Sequence, residues 1–434
     1  MLKRVRISKR LLKLLAFAAG LLFLYLLGSL VFFNATPKEF RVTEPVITSY
    51  SVSDPQFRRD SGRLTGRDWV NGNHIEVLDR GKDIFDAMIR DIGEAGCCIT
   101  KETYNFRGDE VATRFAAELA SASRRGVDIH FLMDFIGSVA ATRAQLDTLQ
   151  QAGVDLERWR EPAWYHLSRF NHRTHRKIMV LDGRVAYTGG VNTADSWLPD
   201  PVDGGYRDYH FRISGPVVRE IQGAFSENWV SARGELLLGE QYYPNSDSVG
   251  TAAMQVVSSR PREGEKRMRK MLLHAIASAE NSIRISSAYF FPDRFFLDAI
   301  RDASRRGVDV TILTPGEHID QKYIRHAAHT LYTGLIEDGV AIYEFKPSMY
   351  HAKMLIIDDY FVSVGSTNFD NRSFRINDEM NVNALDSTFA REMVQHYERD
   401  LAQSERLTLE DLSNRPLRHK TWGWIVRGTI GAYL

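Results

Sequence analysis

Two short segments of this chain carry a histidine, a lysine two positions on and an aspartate five positions later. They are His175-Arg176-Lys177 to Asp182 and His351-Ala352-Lys353 to Asp358. Each leads into Gly-Gly/Ser-x-Asn, at Gly189-Gly190-Val191-Asn192 and Gly365-Ser366-Thr367-Asn368, with the same interval from histidine to asparagine. The motifs are expected to lie in strands, where His and Lys two apart project from one face, so an imidazole and an ammonium look into one cleft. That set suits a phosphodiester. Lys177, Lys353, Asn192, Asn368 and Ser366 can hold the non-bridging oxygens, where charge grows in the transition state. One imidazole can attack phosphorus while the other protonates the leaving oxygen.

A nucleophilic imidazole must be neutral and held in one tautomer, so its second nitrogen needs an acceptor. Asp208 and Glu379, downstream of the two motifs at similar though unequal distances, are expected to orient the histidines. Asp182 and Asp358 close the motifs. They are counted with the catalytic set, and are expected to tie down the local loop or the lysine rather than to touch substrate. One such triplet is a weak signal, as short patterns generally are. Two copies with matching asparagines are not coincidence. His166 and His172 suit the cleft rim or a structural role, and His210, His274, His326 and His329 suit packing or the surface. No third ligand pattern accompanies the motifs, so the site is expected to work without a metal or other cofactor.

The motifs sit in a repeat. The first copy opens with a helix bearing Ile84, Phe85, Met88, Ile89 and Ile92 on one face, then a strand at 98–103. A helix with Val111, Phe115, Leu119 and Ala122 follows, then the turn Arg125-Gly126-Val127-Asp128 and a strand at 129–133. The second copy repeats this: a helix with Met268, Met271, Leu272, Ala275 and Ile276, a strand at 282–287, and a helix around 295–303. The turn Arg306-Gly307-Val308-Asp309 and a strand at 310–313 complete it. Alternation at this spacing implies two α/β units with mixed or parallel sheets.

Leu14 to Phe33 is uncharged and long enough to cross a bilayer as a helix. A cleaved signal peptide would have a shorter apolar region and a small-x-small site, which is lacking after Phe33. Lys3, Arg4, Arg6, Lys9, Arg10 and Lys13 precede the segment, which predicts a cytoplasmic N-terminus and a body on the far side. Six of the 56 basic residues lie there, so the remainder is net negative against 55 acidic ones. A body of that sign has no global pull toward nucleic acid. Cys97 and Cys98, the only cysteines, are adjacent and form neither a disulfide framework nor a zinc site by themselves. The expected organisation is a basic terminus (1–13), a transmembrane helix (14–33), a linker (34–70), α/β domains at 71–240 and 250–405, and a tail (406–434). The tail's Trp422, Trp424, Ile425, Val426, Ile430 and Tyr433 lie among positive charges and suit a membrane interface or packing on the body. Phe295, Phe296, Trp159 and Trp164 suit an acyl groove or core equally.

The paired motifs resemble those of the phospholipase D superfamily over residues 72–405. The stretches Asn171 to Lys177, Ser287 to Pro292, Tyr350 to Lys353 and Gly365 to Phe374 are similar to those of bacterial cardiolipin synthases. This resemblance implies a pseudo-twofold bilobal fold with one site between the halves and a covalent phosphohistidine on the first motif. His175 would then be nucleophile and His351 general acid and base, a choice that spacing alone does not make. It implies transfer of a phosphatidyl group from phosphatidylglycerol to a second phospholipid, yielding cardiolipin and glycerol. Relatives that give the intermediate to water, a membrane-anchored nuclease and a non-enzymatic scaffold are the competing readings. The single predicted span departs from the two or none usual in such synthases.

Overall fold

The computed structural model describes residues 8–35, 44–161, 171–260 and 266–431. Lys3, Arg4, Arg6, Trp164, His166 and Tyr433 lie outside the described residues. Helix α1 (Lys9–Ala35) is followed by α2 (Pro55–Thr65). The first half then runs β1 (Val70–Leu78), α3 (Gly81–Glu94), β2 (Cys98–Thr103), α4 (Glu110–Arg124), β3 (Asp128–Asp134), α5 (Arg143–Gln151) and β4 (Asp155–Trp159). It ends with β5 (Ile178–Leu181), β6 (Val185–Gly189), β7 (His210–Ser214) and α6 (Val218–Arg233). The second half repeats the order: β8 (Ala252–Ser259), α7 (Arg267–Ala277), β9 (Ser282–Ser287), α8 (Arg294–Arg305), β10 (Asp309–Pro315), α9 (Lys322–Glu337) and β11 (Ala341–Phe345). After these come β12 (Lys353–Ile357), β13 (Phe361–Gly365), α10 (Asn371–Arg375), β14 (Glu379–Leu385) and α11 (Ser387–Leu401). A short β15 (Ser404–Arg406), α12 (Leu409–Asn414) and α13 (Leu417–Thr429) close the chain.

The local rules of the sequence set these boundaries. Asp109 caps α4 by accepting from the Ala112 amide, and Asp293 caps α8 by accepting from Phe295. Gly126 and Gly307, at φ 95° and 94°, end the same two helices in the left-handed conformation that favours glycine.

The strands form one mixed sheet, ordered β15-β11-β10-β9-β12-β13-β14-β8-β1-β7-β6-β5-β2-β3-β4. Apart from β15 the order is symmetric about the β8–β1 pair, which is where the halves join. Each half keeps three parallel strands toward its edge, β2-β3-β4 or β9-β10-β11, the latter flanked by the antiparallel β15. Helices α6 and α11 cover one face over a core common to both halves, with Phe225, Trp229, Met354, Ile356 and Met393 buried there. On the other face each half has its own core. Helices α3 and α4 cover Phe115, Phe131 and Met179, and α7, α8 and α9 cover Met271, Ile285 and Ile312.

Three expectations change. The predicted linker holds a real helix: Phe57 of α2 is fully buried in the second half's core, with Val52 beside it. The two predicted domains share one continuous sheet through β1 and β8, strands that the repeat reading did not include. His175 and Lys177 lie in extended chain just before β5, and His351 just before β12, rather than inside strands.

Helix α1 is long and apolar enough to span a membrane, over Lys9–Leu30, and is the one such helix among the described residues.

Candidate active site

The strands β5 and β12 start at corresponding places in the two halves, so the segments entering them bring both motifs to the line where the halves meet. Backbone hydrogen bonds lock the crossing. The His175 amide donates to the Asp378 carbonyl at 2.9 Å, and the Asp378 amide returns one to Arg173 at 2.9 Å. In the other half the His351 amide donates to Arg207 at 2.7 Å, and the Arg207 amide to Met349 at 2.9 Å. Asp378 and Arg207 are the residues immediately before Glu379 and Asp208. Each orienting carboxylate is thereby carried to the histidine of the opposite half.

His175 Nδ1 lies 3.1 Å from both carboxylate oxygens of Glu379 and 3.0 Å from the Ser366 carbonyl. His351 Nδ1 lies 2.6 Å from Asp208 Oδ2. Both carboxylates are buried, and Trp197 Nε1 donates to Asp208 at 3.1 Å. With each Nδ1 engaged, Nε2 is the nitrogen left for chemistry. Burial lowers the His175 pKa, against the pull of Glu379, and Lys177 and Lys353 lower it further. Burial and Lys353 push His351 down to about 3, against Asp208. Both imidazoles are therefore neutral near pH 7, the form a nucleophile requires.

The lysines lie beneath them. Lys177 Nζ donates to the His175 carbonyl at 2.6 Å, and Lys353 Nζ donates to the His351 carbonyl and lies 2.8 Å from His351 Nδ1. Burial brings Lys177 down to about 7, opposed chiefly by Glu379, and Lys353 to about 8, opposed chiefly by Asp208. Each lysine is thus held between burial, which disfavours its charge, and a carboxylate, which favours it.

Both histidines open onto one cavity of about 590 Å³ whose walls come from both halves, Asn192, Tyr104 and Tyr206 from the first, Asn368, Tyr289 and Asp370 from the second. Arg107, Arg173 and Arg372 also line it. Arg173, Arg372 and Tyr289 lie in the stretches that carry the family resemblance but were given no role, and Arg107 and Tyr104 were not singled out at all. The signal was faint: Tyr104 and Tyr289 each follow the strand that neighbours a motif, β2 or β9. Asn192 Oδ1 accepts from the Asn105 amide at 3.1 Å, while the buried Asn368 Oδ1 makes no hydrogen bond among the described residues. A larger cavity, about 770 Å³, lies elsewhere, between α7, α8 and residues 44–48, and contains neither histidine.

Seven expected site residues are not in the cavity wall: Lys177, Lys353, Asp208 and Glu379 are buried and hydrogen-bonded to the two histidines, while the side chains of Asp182, Asp358 and Ser366 serve other partners. Asp182 accepts from the amides of Gly96, Cys97 and Cys98 at 2.8–3.0 Å, and Asp358 from those of Glu280, Asn281 and Ser282 at 2.7–2.9 Å. Both hold the loop before the neighbouring strand and neither touches its motif lysine, so they are not catalytic residues in the sense of meeting substrate. Ser366 is fully buried and donates to Glu379 Oε2 at 2.5 Å, which removes it from the expected phosphate set. Its counterpart is Gly190, where a Cβ would fall 2.2 Å from Asp208 Oδ1. The hydroxyl reaches the glutamate in one half, and only glycine leaves room for the aspartate in the other.

The remaining expected histidines are elsewhere. His172 Nδ1 lies 3.2 Å from the Ile376 carbonyl, His274 hydrogen-bonds Tyr50, His326 stacks on His419, and His329 pairs with Glu344. His210 is buried beside Tyr187. Phe296 and Trp159 are core, and Phe295 lines the larger cavity.

A family model described as cardiolipin synthase, PLD-like domain, matches residues 88–229 and 272–401, the two halves just described. The chain belongs to this family. It is 35% identical over 349 residues to cardiolipin synthase 2 of Staphylococcus epidermidis, covering 80% of this chain and 71% of that protein. With the minor cardiolipin synthase of Bacillus subtilis it shares 32% identity over 81% of this chain and 87% of that one. In fold it is similar to the phosphatidylserine synthase of Haemophilus influenzae, at a TM-score of 0.65 and 14% identity, over 87% of this chain and 99% of that one. As a member of the family it is an enzyme, a phosphatidyltransferase of phospholipid biosynthesis.

Proposed function

We propose that the protein moves a phosphatidyl group from phosphatidylglycerol to the hydroxyl of a second phospholipid through a phosphohistidine, releasing glycerol. The observation that carries this is the pair of buried imidazoles opening onto one cavity, each with Nδ1 held by a buried carboxylate of the opposite half. His175 Nε2 attacks phosphorus, and the bond from phosphorus to the glycerol oxygen breaks. His351 gives that oxygen its proton. The donor's phosphate charge, arriving beside two lysines, opposes the influences that keep the free His351 neutral, so His351 takes up a proton from solvent at Nε2 as the donor binds. In the second half His351 takes the proton of the acceptor hydroxyl, whose oxygen attacks phosphorus while the bond to His175 breaks. Lys177, Lys353, Asn192 and Asn368 meet the phosphoryl oxygens, and Asp208 and Glu379 steady the imidazoles.

His175 is assigned the attack on the resemblance of its motif to the first motif of the superfamily, and Glu379 and the Ser366 carbonyl, in reach of its Nδ1, suit an unprotonated Nε2. The domain limits 71–240 and 250–405 follow the repeat. The basic flank of α1 supports a body on the non-cytoplasmic side, and a reporter fused at Leu434 tests that placement. The decisive experiment incubates the detergent-solubilised protein with phosphatidylglycerol and separates the lipid products. Cardiolipin with equimolar glycerol is expected, whereas phosphatidic acid alone would mean that water is the acceptor.

A further inference from the structure

Helix α13 carries no acidic residue, and Arg418, Lys420 and Arg427 are spread along it. One face is fastened to the body. Val426 is buried in the second half's core, and a Cβ at Gly423 would strike the His326 backbone of α9 at 2.2 Å. His419 stacks on His326 at 4.4 Å between ring centroids. The opposite arc is bare: Trp422 is 50% exposed, Trp424 62%, Ile425 48% and Leu417 78%. Two exposed tryptophans on one short helix are a large apolar area to leave in water.

The helix is also tied to the cavity. Asn371 Nδ2 donates to the Gly431 carbonyl at 2.9 Å, just past the end of α13. Asn371 lies between Asp370 and Arg372, two residues of the cavity wall, and α9 beneath α13 contributes Tyr323 and Ile324 to that wall. The membrane is within reach. Glu44 follows Ala35, the end of α1, by nine positions, at most about 30 Å of chain. Val46, Val52 and Phe57 then pack on the same core as Val426. The half that α1 tethers is the half that carries α13.

We propose that the exposed arc of α13 docks in the headgroup region of an anionic bilayer and holds the cavity mouth at the level of its lipid substrates. Tryptophan suits that region because its ring is apolar and its N–H polar, and the three cations match an anionic surface. The substrate arm of this inference rests on the phosphatidyltransferase reading. The docking arm does not.

The test uses the full chain in vesicles of phosphatidylglycerol and phosphatidylcholine with brominated acyl chains. Helix α1 has no tryptophan, and Trp69, Trp159, Trp197 and Trp229 are buried, so with Trp164→Phe introduced into every protein compared, the wild type included, quenching reports α13. Expected is strong quenching of the wild type that disappears in the Trp422→Phe/Trp424→Phe variant. Equal quenching in both proteins, or none in either, overturns the docking, as does an unquenched Ile425→Cys protein that cross-links at 425 to a second copy. A triple variant, Trp422→Ser/Trp424→Ser/Ile425→Ser, is expected to raise KM for vesicle phosphatidylglycerol at least fivefold while kcat and turnover of dispersed short-chain lipid hold. An unchanged KM overturns the positioning of the cavity. Quenching without turnover of phosphatidylglycerol by the wild type sinks the donor assignment and leaves the docking standing.

Discussion

His175 and His351 are equivalent by motif and distinguishable by surroundings: the first faces a glutamate with two oxygens in range, the second an aspartate with one oxygen at 2.6 Å. Replacing either by alanine is expected to abolish transfer, by about 10⁴-fold or more, with an unchanged circular dichroism spectrum. Mass spectrometry of the quenched enzyme should find the phosphatidyl adduct on His175, and an adduct on His351 alone would reverse the roles. Because the carboxylates serve the opposite half, Glu379→Gln should act on the step that depends on His175. The expected loss is about 10²- to 10⁴-fold in kcat, with little further loss when combined with His175→Ala. The lysines set the alkaline limb. In the proposed mechanism both act as cations, and burial lowers their pKa values to about 7 for Lys177 and about 8 for Lys353. The cations are lost as pH rises, so kcat/KM should fall from about pH 7 upward. A bound phosphodiester favours the cations, so the limb in kcat should lie at higher pH. A profile flat to pH 9 in both parameters would remove the lysines from the mechanism.

At the scale of elements, Asp182 and Asp358 show why a residue can belong to a motif without meeting substrate. Each sits with positive φ, 53° and 52°, at the end of β5 or β12, and binds three backbone amides at the start of β2 or β9. Asp358→Ala would remove hydrogen bonds to the exposed Glu280 and Asn281 amides and the half-buried Ser282 amide, and cost about 1–3 kcal/mol in all. Thermal denaturation should show the loss, while the folded fraction keeps most of its activity. The repeat made α3, β2, α4 and β3 legible because amphipathic periods and glycine turns are local signals. The strands β1 and β8 were not legible, since their pairing partners are distant in sequence and their alternation is broken by polar residues such as Asn73 and Gln255. Helix α2 was missed for a related reason: it is rich in Arg, and only Phe57 among its hydrophobic positions is fully buried.

Across the whole molecule the halves are held by charges as well as by the sheet. Arg207, carried just before Asp208, donates to Asp400 of the second half at 2.8 Å and to the Asp79 carbonyl of the first at 2.7 Å. Tyr209 completes the cluster by donating to Asp400 at 2.6 Å. Removing one partner of such a buried pair costs about 3–5 kcal/mol. Arg207→Ala is therefore expected to lower the midpoint of thermal unfolding by several degrees and to disturb His351, whose amide donates to the Arg207 carbonyl. An unchanged midpoint would show that the sheet alone joins the halves.

The residue types of the site, its twofold repetition and the apolar span of α1 follow from the sequence by itself. They are encoded in spacings of a few residues and in composition over one helix length, which need no partner elsewhere in the chain. Which carboxylate serves which histidine, the burial that neutralises both imidazoles, and the withdrawal of Ser366, Asp182 and Asp358 from the cavity were decided by the tertiary structure. Each depends on residues brought together from opposite halves or from separate strands, and on the low polarity created when the halves close over one another. No local pattern records either.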